Sequence, residues 1–534
     1  MPTLTRPGVY VDESAFPTYV SATPGTAAAC FVGPSPRGPL TPTIVNSWKE
    51  FTSYFGPFTT AYPPSSLHLA VFTYFSAGGS SALIIRAHRL DAQGPTTASS
   101  IFDDQSTTTQ QPSLQINADN PGAWGNDLWI DILVGTVQDA LNPAQYDTFT
   151  IQVKYQGNQP INIVERWENL SMVPGSTNLG TNNYAPDVIN SAFTGSNYIN
   201  VKDLAVLNPT PTPPPANNPQ PTPVNASVNL GTGPGGATGS DGQPITFQDQ
   251  YTALQQLDKF PDQPFVINMP GVWNGSDISN VVGYAQARGN GFVVIDCPPG
   301  YSPQSMVQYA NGLGSSPQAA VYYPQVQISD PYSPTPGRTR MIPPGGFVTG
   351  LYIATDASRG VQKAPAGLGA SLLGAYGLET ILTNQDQGNL TQANVNCLIS
   401  VPGSGVVIWG ARTLSPYLVT RYVPVERTLI YLSTEFVAMT KFAVFEPNDW
   451  VLWNQITTIL NQFLTQFWQS GGLRGQSAND AFYITCDQSN NTAQSIQQGI
   501  VNVEVGIALQ YPAEFVVIKI GQWAGGQSVA VTTP

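Results

Sequence analysis

Charge is what this sequence has least of. Only 10% of its 534 residues are Asp, Glu, Lys or Arg, against about a quarter in ordinary soluble domains. The 20 basic residues are spread thinly under a net charge of −13. No basic run or stripe occurs, which argues against a nucleic-acid-binding surface. Histidine is nearly absent, with two copies, His68 and His88. A Ser–His–Asp triad or a zinc site needs a histidine held by partners. His68 falls in the helical run LHLAVFTYF and His88 follows a strand, so both read as structural. The four cysteines, Cys30, Cys297, Cys397 and Cys486, lie far apart, each in or beside an apolar run. That is the pattern of buried free thiols and not of a disulfide framework or metal site. No apolar stretch reaches the ~18–20 residues of a membrane-spanning helix. The opening residues MPTLTRPGVYVDE lack the charged and apolar regions of a signal peptide. The expectation is a protein made and folded in the cytosol.

Small and polar residues fill the space, including 50 Gly and 48 Pro. Such a composition suits a chain that buries its surface against copies of itself, and equally a loop-rich β protein. With 41% apolar residues the chain can bury a sizeable core, and its length allows two to four domains.

Read in order, residues 1–25 hold prolines and glycines around one short strand, Val9–Val11. This is either an extended arm or a disordered terminus. Residues 26–95 carry strand Ala27–Val32, helical stretches at Trp48–Phe55 and Ser66–Ser76, and strand Ala82–Ala87. Residues 96–245 read as an insertion of short strands, at Leu114–Asn117, Leu128–Val134, Phe149–Tyr155 and Ile161–Trp167. The insertion closes with a Pro/Gly-rich linker, 203–245. Within it PTPTPPPANNPQPTP (Pro209–Pro223) is an extended spacer or an exposed loop. Residues 246–340 alternate helices with strands Phe265–Met269, Phe292–Cys297 and Ala319–Tyr323, which argues for a parallel or mixed sheet. Asp449–Gln469 has apolar residues at a period near 3.6, Asn448 or Asp449 to cap its start and Gly471–Gly472 to end it. A last apolar strand, Phe515–Ile520, precedes a flexible tail. The fold class expected is α+β. Its core is an α/β-like mixed sheet with flanking helices, discontinuous in sequence (26–95 with 246–514), and the insertion is a mostly-β outer domain.

No catalytic constellation emerges. Gly231, Gly233 and Gly236 match G-x-G-x-x-G but follow no strand, so the dinucleotide-site context is missing. Asp356 and Arg359 in TDASRG can be read as an active-site turn, for which the family resemblance given below implies a structural or interface ion pair instead. No catalytic, cofactor-binding or metal-binding residue is expected, and no cofactor.

Several blocks carry a specific likeness. They are PGVYVDE (Pro7–Glu13), VGPSPRGP (Val32–Pro39), FSAGGSSALIIRA (Phe75–Ala87), MIPPGGFVTGLYIATDASRGVQKAPAG from Met341, NCLISVPGSGVVIWGARTLSP, FEPNDWVLWNQ, AFYITCD and YPAEFVVIKIGQW. In this order they resemble the contractile tail sheath proteins of myophage tails, R-type bacteriocins and related contractile injection systems. PGAWGND (Pro121–Asp127) resembles a turn in the outer domain of phage sheaths. One departure is Glu426–Arg427, where the family often has two adjacent basic residues.

The resemblance implies a non-enzymatic structural subunit. It would form stacked rings, hexameric in this family, around an inner tube, and contract by lattice rearrangement to drive the tube through a target envelope. It implies strand exchange between subunits. Val9, Tyr10 and Val11 would form one linking strand and Phe515, Val516, Val517, Ile518, Lys519 and Ile520 the other (515–534 being the C-terminal strand and tail), with Pro24 and Gly25 as the arm's hinge. The partners implied are the chain itself, a tube protein, and baseplate and terminal cap proteins, with no nucleic acid and no membrane insertion. Assembly would occur in the bacterial cytoplasm, and the product would be a virion tail or an injection particle. The insertion would lie on the outer wall, dispensable for the core fold. An alternative of another class is a surface-layer or adhesin-like structural β protein. The low charge and Thr/Pro-rich spacer suggest it, and the missing signal peptide and α/β core oppose it.

Overall fold

Ala28–Pro34 (β1) reads AACFVGP. Ala29 and Phe31 belong to one hydrophobic cluster and Cys30 and Val32 to another. A strand that is apolar on both sides belongs inside a sheet covered on both faces. The computed structural model places it there. The structure describes residues 27–58, 65–89, 91, 93–106, 109–137, 147–155, 162–191, 194–204, 217–223, 226–515, 523–524 and 527–528.

After β1 come Thr43–Val45 (β2), Trp48–Phe55 (α1), Ser66–Ser76 (α2) and Ala82–Ala87 (β3). A second group follows: Ser99–Asp103 (β4), Pro112–Ala118 (β5), Leu128–Val134 (β6), Phe149–Tyr155 (β7), Asn162–Leu170 (β8), Thr177–Asn178 (β9), Thr181–Asn182 (β10), Ala185–Ile189 (α3), Ile199–Asp203 (β11) and Val228–Asn229 (β12). The chain then alternates through Phe247–Leu254 (α4), Phe265–Asn268 (β13), Gly275–Arg288 (α5), Gly291–Asp296 (β14), Pro303–Gly312 (α6) and Ala319–Tyr323 (β15). Next are Val326–Ser329 (β16), Thr339–Ile342 (β17), Gly345–Arg359 (α7), Ala375–Leu378 (β18), Asn384–Gln392 (α8), Val395–Val401 (β19) and Gly405–Ile408 (β20). The last part holds Val423–Thr440 (α9), Trp450–Gln469 (α10), Ala478–Ala481 (α11), Phe482–Thr485 (β21), Ala493–Gln497 (α12), Glu504–Ile507 (β22), Trp523–Ala524 (β23) and Gln527–Ser528 (β24). β23 and β24 pair with each other where sequence reading placed a flexible tail.

The main sheet runs in the order β2-β3-β1-β13-β14-β15-β19-β20. The strands from β3 to β19 are parallel and the two edge strands antiparallel. The expected α+β class is therefore observed, with a mixed main sheet and several smaller ones. Helices α1, α2, α7 and α9 share a core with one face, and α4, α5, α6 and α8 with the other. Helix α7 was hard to foresee because GGFVTG is poor helix sequence. A Cβ at Gly346 would lie 2.2 Å from Thr73 Oγ1, and one at Gly350 would lie 2.5 Å from the Tyr74 carbonyl. The glycines let α7 press directly on α2.

The strands between β3 and α4 join other sheets. β11-β5-β4 and β12-β6-β7-β8 face each other across one core that includes Trp124, Ile116, Ile130 and Ile151. Gly233 and Gly236 lie in a turn against β4, where a Cβ would come within 1.9 Å of Ser100 Oγ and 2.1 Å of the Ser99 carbonyl. Their role is close packing. The described end of the Pro-rich stretch is stitched across both sheets. The Gln220 amide donates to the Asp103 carbonyl (2.8 Å) and the Thr222 amide to the Ile132 carbonyl (2.8 Å).

In an open parallel sheet a ligand usually sits beyond the carboxyl ends of the strands, facing a helix N-terminus. Here that place is filled from within. Asp296, at the end of β14, accepts a 2.6 Å hydrogen bond from the Gly345 amide in the first turn of α7 and a 3.1 Å bond from Asn268. Burial outweighs both bonds and holds its pKa up at about 6. An acid whose pKa rises on folding gives stability below its unfolded value, and that stability is lost as pH rises through the folded value. Asp296→Asn should therefore remove a decline in stability between pH 4 and pH 6 on the order of 3 kcal/mol. Urea denaturation of both proteins across that range checks this, and parallel profiles would refute it.

Candidate assembly surfaces

The final segment folds around α10. Asp449 caps it, accepting from the amides of Val451 (2.9 Å) and Leu452 (3.2 Å). Asn448 instead accepts from the Trp453 indole at 2.9 Å. Leu464 packs with Leu432 of α9 and with Phe482 and Ile507, so the β21–β22 pair lies on the helices by one face. The pairing aligns Phe482 with Ile507 and Tyr483 with Gly506. Tyr483 lies over Gly506, where a Cβ would be 2.0 Å from its ring. Among the described residues no third strand joins this sheet, and only an isolated bridge, Leu473 to Leu509, touches the continuation of β22, so β21 and β22 each keep an edge that another strand could pair with.

The chain leaves this region through a built anchor. Arg412 Nε and Nη2 each donate to Glu514 at 2.7 Å, and the Tyr422 hydroxyl donates to it at 2.9 Å. Asn396, on β19, brackets Arg412 by accepting from its amide and donating to its carbonyl, both at 2.7 Å. A bidentate, partly buried pair of this kind fixes direction as well as position. Nothing local in the sequence marks Glu514, a carboxylate whose partner Arg412 is so distant in the chain.

Of the sequence-predicted linking residues, Val9, Tyr10, Val11, Val516, Val517, Ile518, Lys519 and Ile520 lie outside the described residues, as do the hinge residues Pro24 and Gly25. Phe515 is described, is 73% exposed and belongs to no strand. Exposed apolar side chains gather in two places. Phe442, Phe445, Trp450 and Val451 occupy the connection from α9 to α10, with Phe445 at φ 70°. Tyr376, Ile381, Trp409, Tyr417 and Leu418 surround the β18 and β20 side. Exposed apolar residues that adjoin one another are candidates for interaction surfaces.

The candidate chemical residues are spent inside. Asp356 pairs with Arg427 of α9 and not with Arg359, through a bond from Nη1 at 2.9 Å and a second from Nη2. The guanidinium also lies 4.7 Å from the Tyr352 ring centre. Burial raises the Asp356 pKa and the Arg427 charge opposes that rise. His68 is buried, 3.1 Å from the Phe55 carbonyl and edge-on to Phe51, and burial lowers its pKa to about 4. His88 Nδ1 is 3.3 Å from the Arg86 carbonyl. All four cysteines are buried and unpaired. Among the described residues no group of three or more His, Cys, Asp and Glu is placed to hold a metal ion, and no helix is long and apolar enough to cross a membrane.

Residues 253–414 match the phage tail sheath protein central domain. Over 290 residues the chain is 24% identical to a prophage major tail sheath protein of Pseudomonas aeruginosa, covering 52% of this chain and 72% of the relative. Over these stretches the chain is similar to contractile tail sheath proteins. Solved sheath structures share its fold at low identity. The helical sheath of the anti-feeding prophage in the contracted state aligns at 20% identity, with TM-score 0.55, 97% of this chain and 100% of the other. The sheath of an extracellular contractile injection system, also contracted, gives 19%, 0.54, 99% and 100%. The sheath tail protein of Listeria innocua gives 13%, 0.55, 88% and 90%.

Two substitutions test the interior and the anchor. Asp356→Ala leaves a buried guanidinium unpaired and should cost about 3–5 kcal/mol, read by chemical denaturation. Arg412→Ala should leave the fold intact but release the chain after Gln510. Limited proteolysis with mass spectrometry should then show faster cutting there, and an unchanged digestion pattern would refute the anchor.

Proposed function

We propose that this chain polymerises as stacked rings around an inner tube and drives that tube through a target envelope by contracting. The observation that carries the proposal is the β21–β22 sheet, which among the described residues has two strands and no third, in a chain similar to sheath proteins. Strands added to the edges of such a sheet satisfy backbone donors and acceptors that would otherwise face water. The strands to be added are Val9–Val11 and Phe515–Ile520 of neighbouring subunits. Each offers several hydrogen bonds at about 0.5–1.5 kcal/mol apiece. That is enough to keep subunits joined while their cores change packing. The Arg412–Glu514 anchor supports this reading, since a strand that holds a neighbour must itself be held at its root. Pro24 and Gly25 would let the arm swing, Gly25 because it tolerates backbone conformations closed to other residues.

The contracted state of the sheath structures similar to this chain supports extending contraction to it. Contraction would be a two-state repacking of interfaces, with the free energy summed over many subunits. The exposed aromatic groups at Phe445 and Trp450 and at Tyr376 and Tyr417 are the surfaces offered to neighbouring copies, the tube, the baseplate and the terminal cap. The inserted sandwich would face outward. Assembly would take place in the bacterial cytoplasm. Nothing in the proposed activity calls for catalysis.

The purified chain, viewed by negative-stain electron microscopy alone and with its tube protein, should form hollow tubes or stacked rings. Removal of residues 1–20 should abolish long tubes while leaving a folded, soluble subunit by circular dichroism. Normal assembly of the truncated chain would end the linking-arm reading. Monomers that persist even with the tube protein would end the sheath reading itself.

A further inference from the structure

Two crossings of the chain join the inserted sandwich to the core, and an insert held in that way usually moves relative to its host. Three sequence motifs remove that freedom here. Arg37, from VGPSPRGP, is buried although it is a cation. Its guanidinium carbon lies 4.5 Å from the Trp124 ring centre and 4.2 Å from that of Tyr198, both in the sandwich. The same group donates to the Ser53 carbonyl of the core (2.9 Å) and the Asn197 carbonyl of the sandwich (2.6 Å). Trp124 comes from PGAWGND and is held in turn by an indole bond to the Asn120 carbonyl at 3.1 Å.

Arg86, from ALIIRA, forms a second tie. It donates to the carbonyls of Ser35 (2.8 Å), Pro36 (3.2 Å) and Gly38 (2.7 Å) in the core, and to Pro121 (2.9 Å) in the sandwich. The Gly38 amide donates to Asn120 Oδ1 at 2.8 Å. Gly122, at φ 147°, allows close approach, since a Cβ there would lie 2.6 Å from the Pro36 carbonyl. A buried guanidinium that loses its partners keeps its desolvation cost, and cation–π contacts strengthen when desolvated. Small rotations of the sandwich are therefore opposed on both sides of the joint.

We infer that Arg37 and Arg86 lock the inserted sandwich to the core as one rigid body, so that the sandwich keeps a fixed orientation through any rearrangement of the cores. The inference concerns the single subunit and stands independently of the assembly proposal. It also replaces the expectation that the insertion is dispensable. Excision would remove the Asn197 and Pro121 carbonyls and both aromatic faces from two buried cations.

Spin labels at Glu168→Cys on β8 and Asn280→Cys on α5, both exposed, test this in the full chain. The native cysteines are buried, so labelling is selective. Double electron–electron resonance on the labelled parent should give one narrow distance. Arg37→Ala and Trp124→Leu should each broaden it or split it into several. A broad or multimodal distribution in the parent overturns the inference without recourse to any variant. So does a distribution equally narrow in both variants.

Discussion

The structure depends on β1 being paired on both sides. Its residues align with β3 (Ala29 with Ala82, Phe31 with Ile84) and with β13 (Ala28 with Phe265, Cys30 with Ile267). The core therefore closes only when the first segment meets strands that follow the whole insertion. Such closure costs chain entropy, but that cost grows slowly with loop length. The insertion lessens it further by sealing its own neck. Thr96 bridges to Ser240, and the Gln243 amide donates to the Gln93 carbonyl at 3.1 Å. The long detour enters and leaves the core at nearly one place, so β3 and α4 are no farther apart than a short connection would leave them. A parallel sheet assembled from distant segments is slow to form, and a sandwich able to fold around its own core is the least obstructive thing to place inside one.

The rarity of charge has a second side. Among the few charged groups, Arg37, Arg86, Asp296, Asp356, Glu426, Arg427 and Glu435 are buried. Buried charges, whether paired or hydrogen-bonded to neutral groups, add little net stability, yet they penalise every arrangement that strips them of partners. Asp356 with Arg427 fixes α7 against α9. Asp296 fixes the start of α7 against β14, and Arg37 with Arg86 fixes the sandwich. A core of Leu and Val alone would tolerate sliding, because apolar contact has no direction. Here charged groups sit where α7 meets α9 and β14 within the core, and where the sandwich meets the core, places where direction matters.

The sequence made the regular elements legible wherever periodicity was undisturbed. Helices Trp48–Phe55 and Ser66–Ser76 and strands Ala82–Ala87 and Ala319–Tyr323 fall where the pattern placed them. Helix α9 did not stand out, for a physical reason. It is buried nearly all round, and Glu426, Arg427 and Glu435 lie on its buried surface, so no polar stripe marks an outer face. Helix α7 was masked by its glycines. The Asp356–Arg427, Arg412–Glu514 and Arg37–Trp124 contacts join residues far apart in the chain, and no local rule points from one to the other. The family resemblance was legible because it rests on ordered blocks. The chain's own joints were not, because a block records which residues occur and not which of them touch.

These features fit one mechanical requirement. A subunit that changes neighbours without coming apart needs bonds that persist, bodies that do not deform and surfaces that can part from one partner and meet another. Backbone pairing at the β21–β22 edges suits the persistent bonds, since hydrogen bonds along a strand survive a change of angle that would shear a packed interface. Buried guanidinium joints suit the undeformed bodies. A surface poor in charge suits the exchange. Each contact given up by an ionic interface leaves two charges to be rehydrated or re-paired, and the new lattice would need complementary charges at new positions. Apolar and amide-rich surfaces impose no such matching. In the proposed assembly the low charge of the whole chain and the few charges buried at internal joints therefore answer one constraint: specificity is placed at the contacts that must never change.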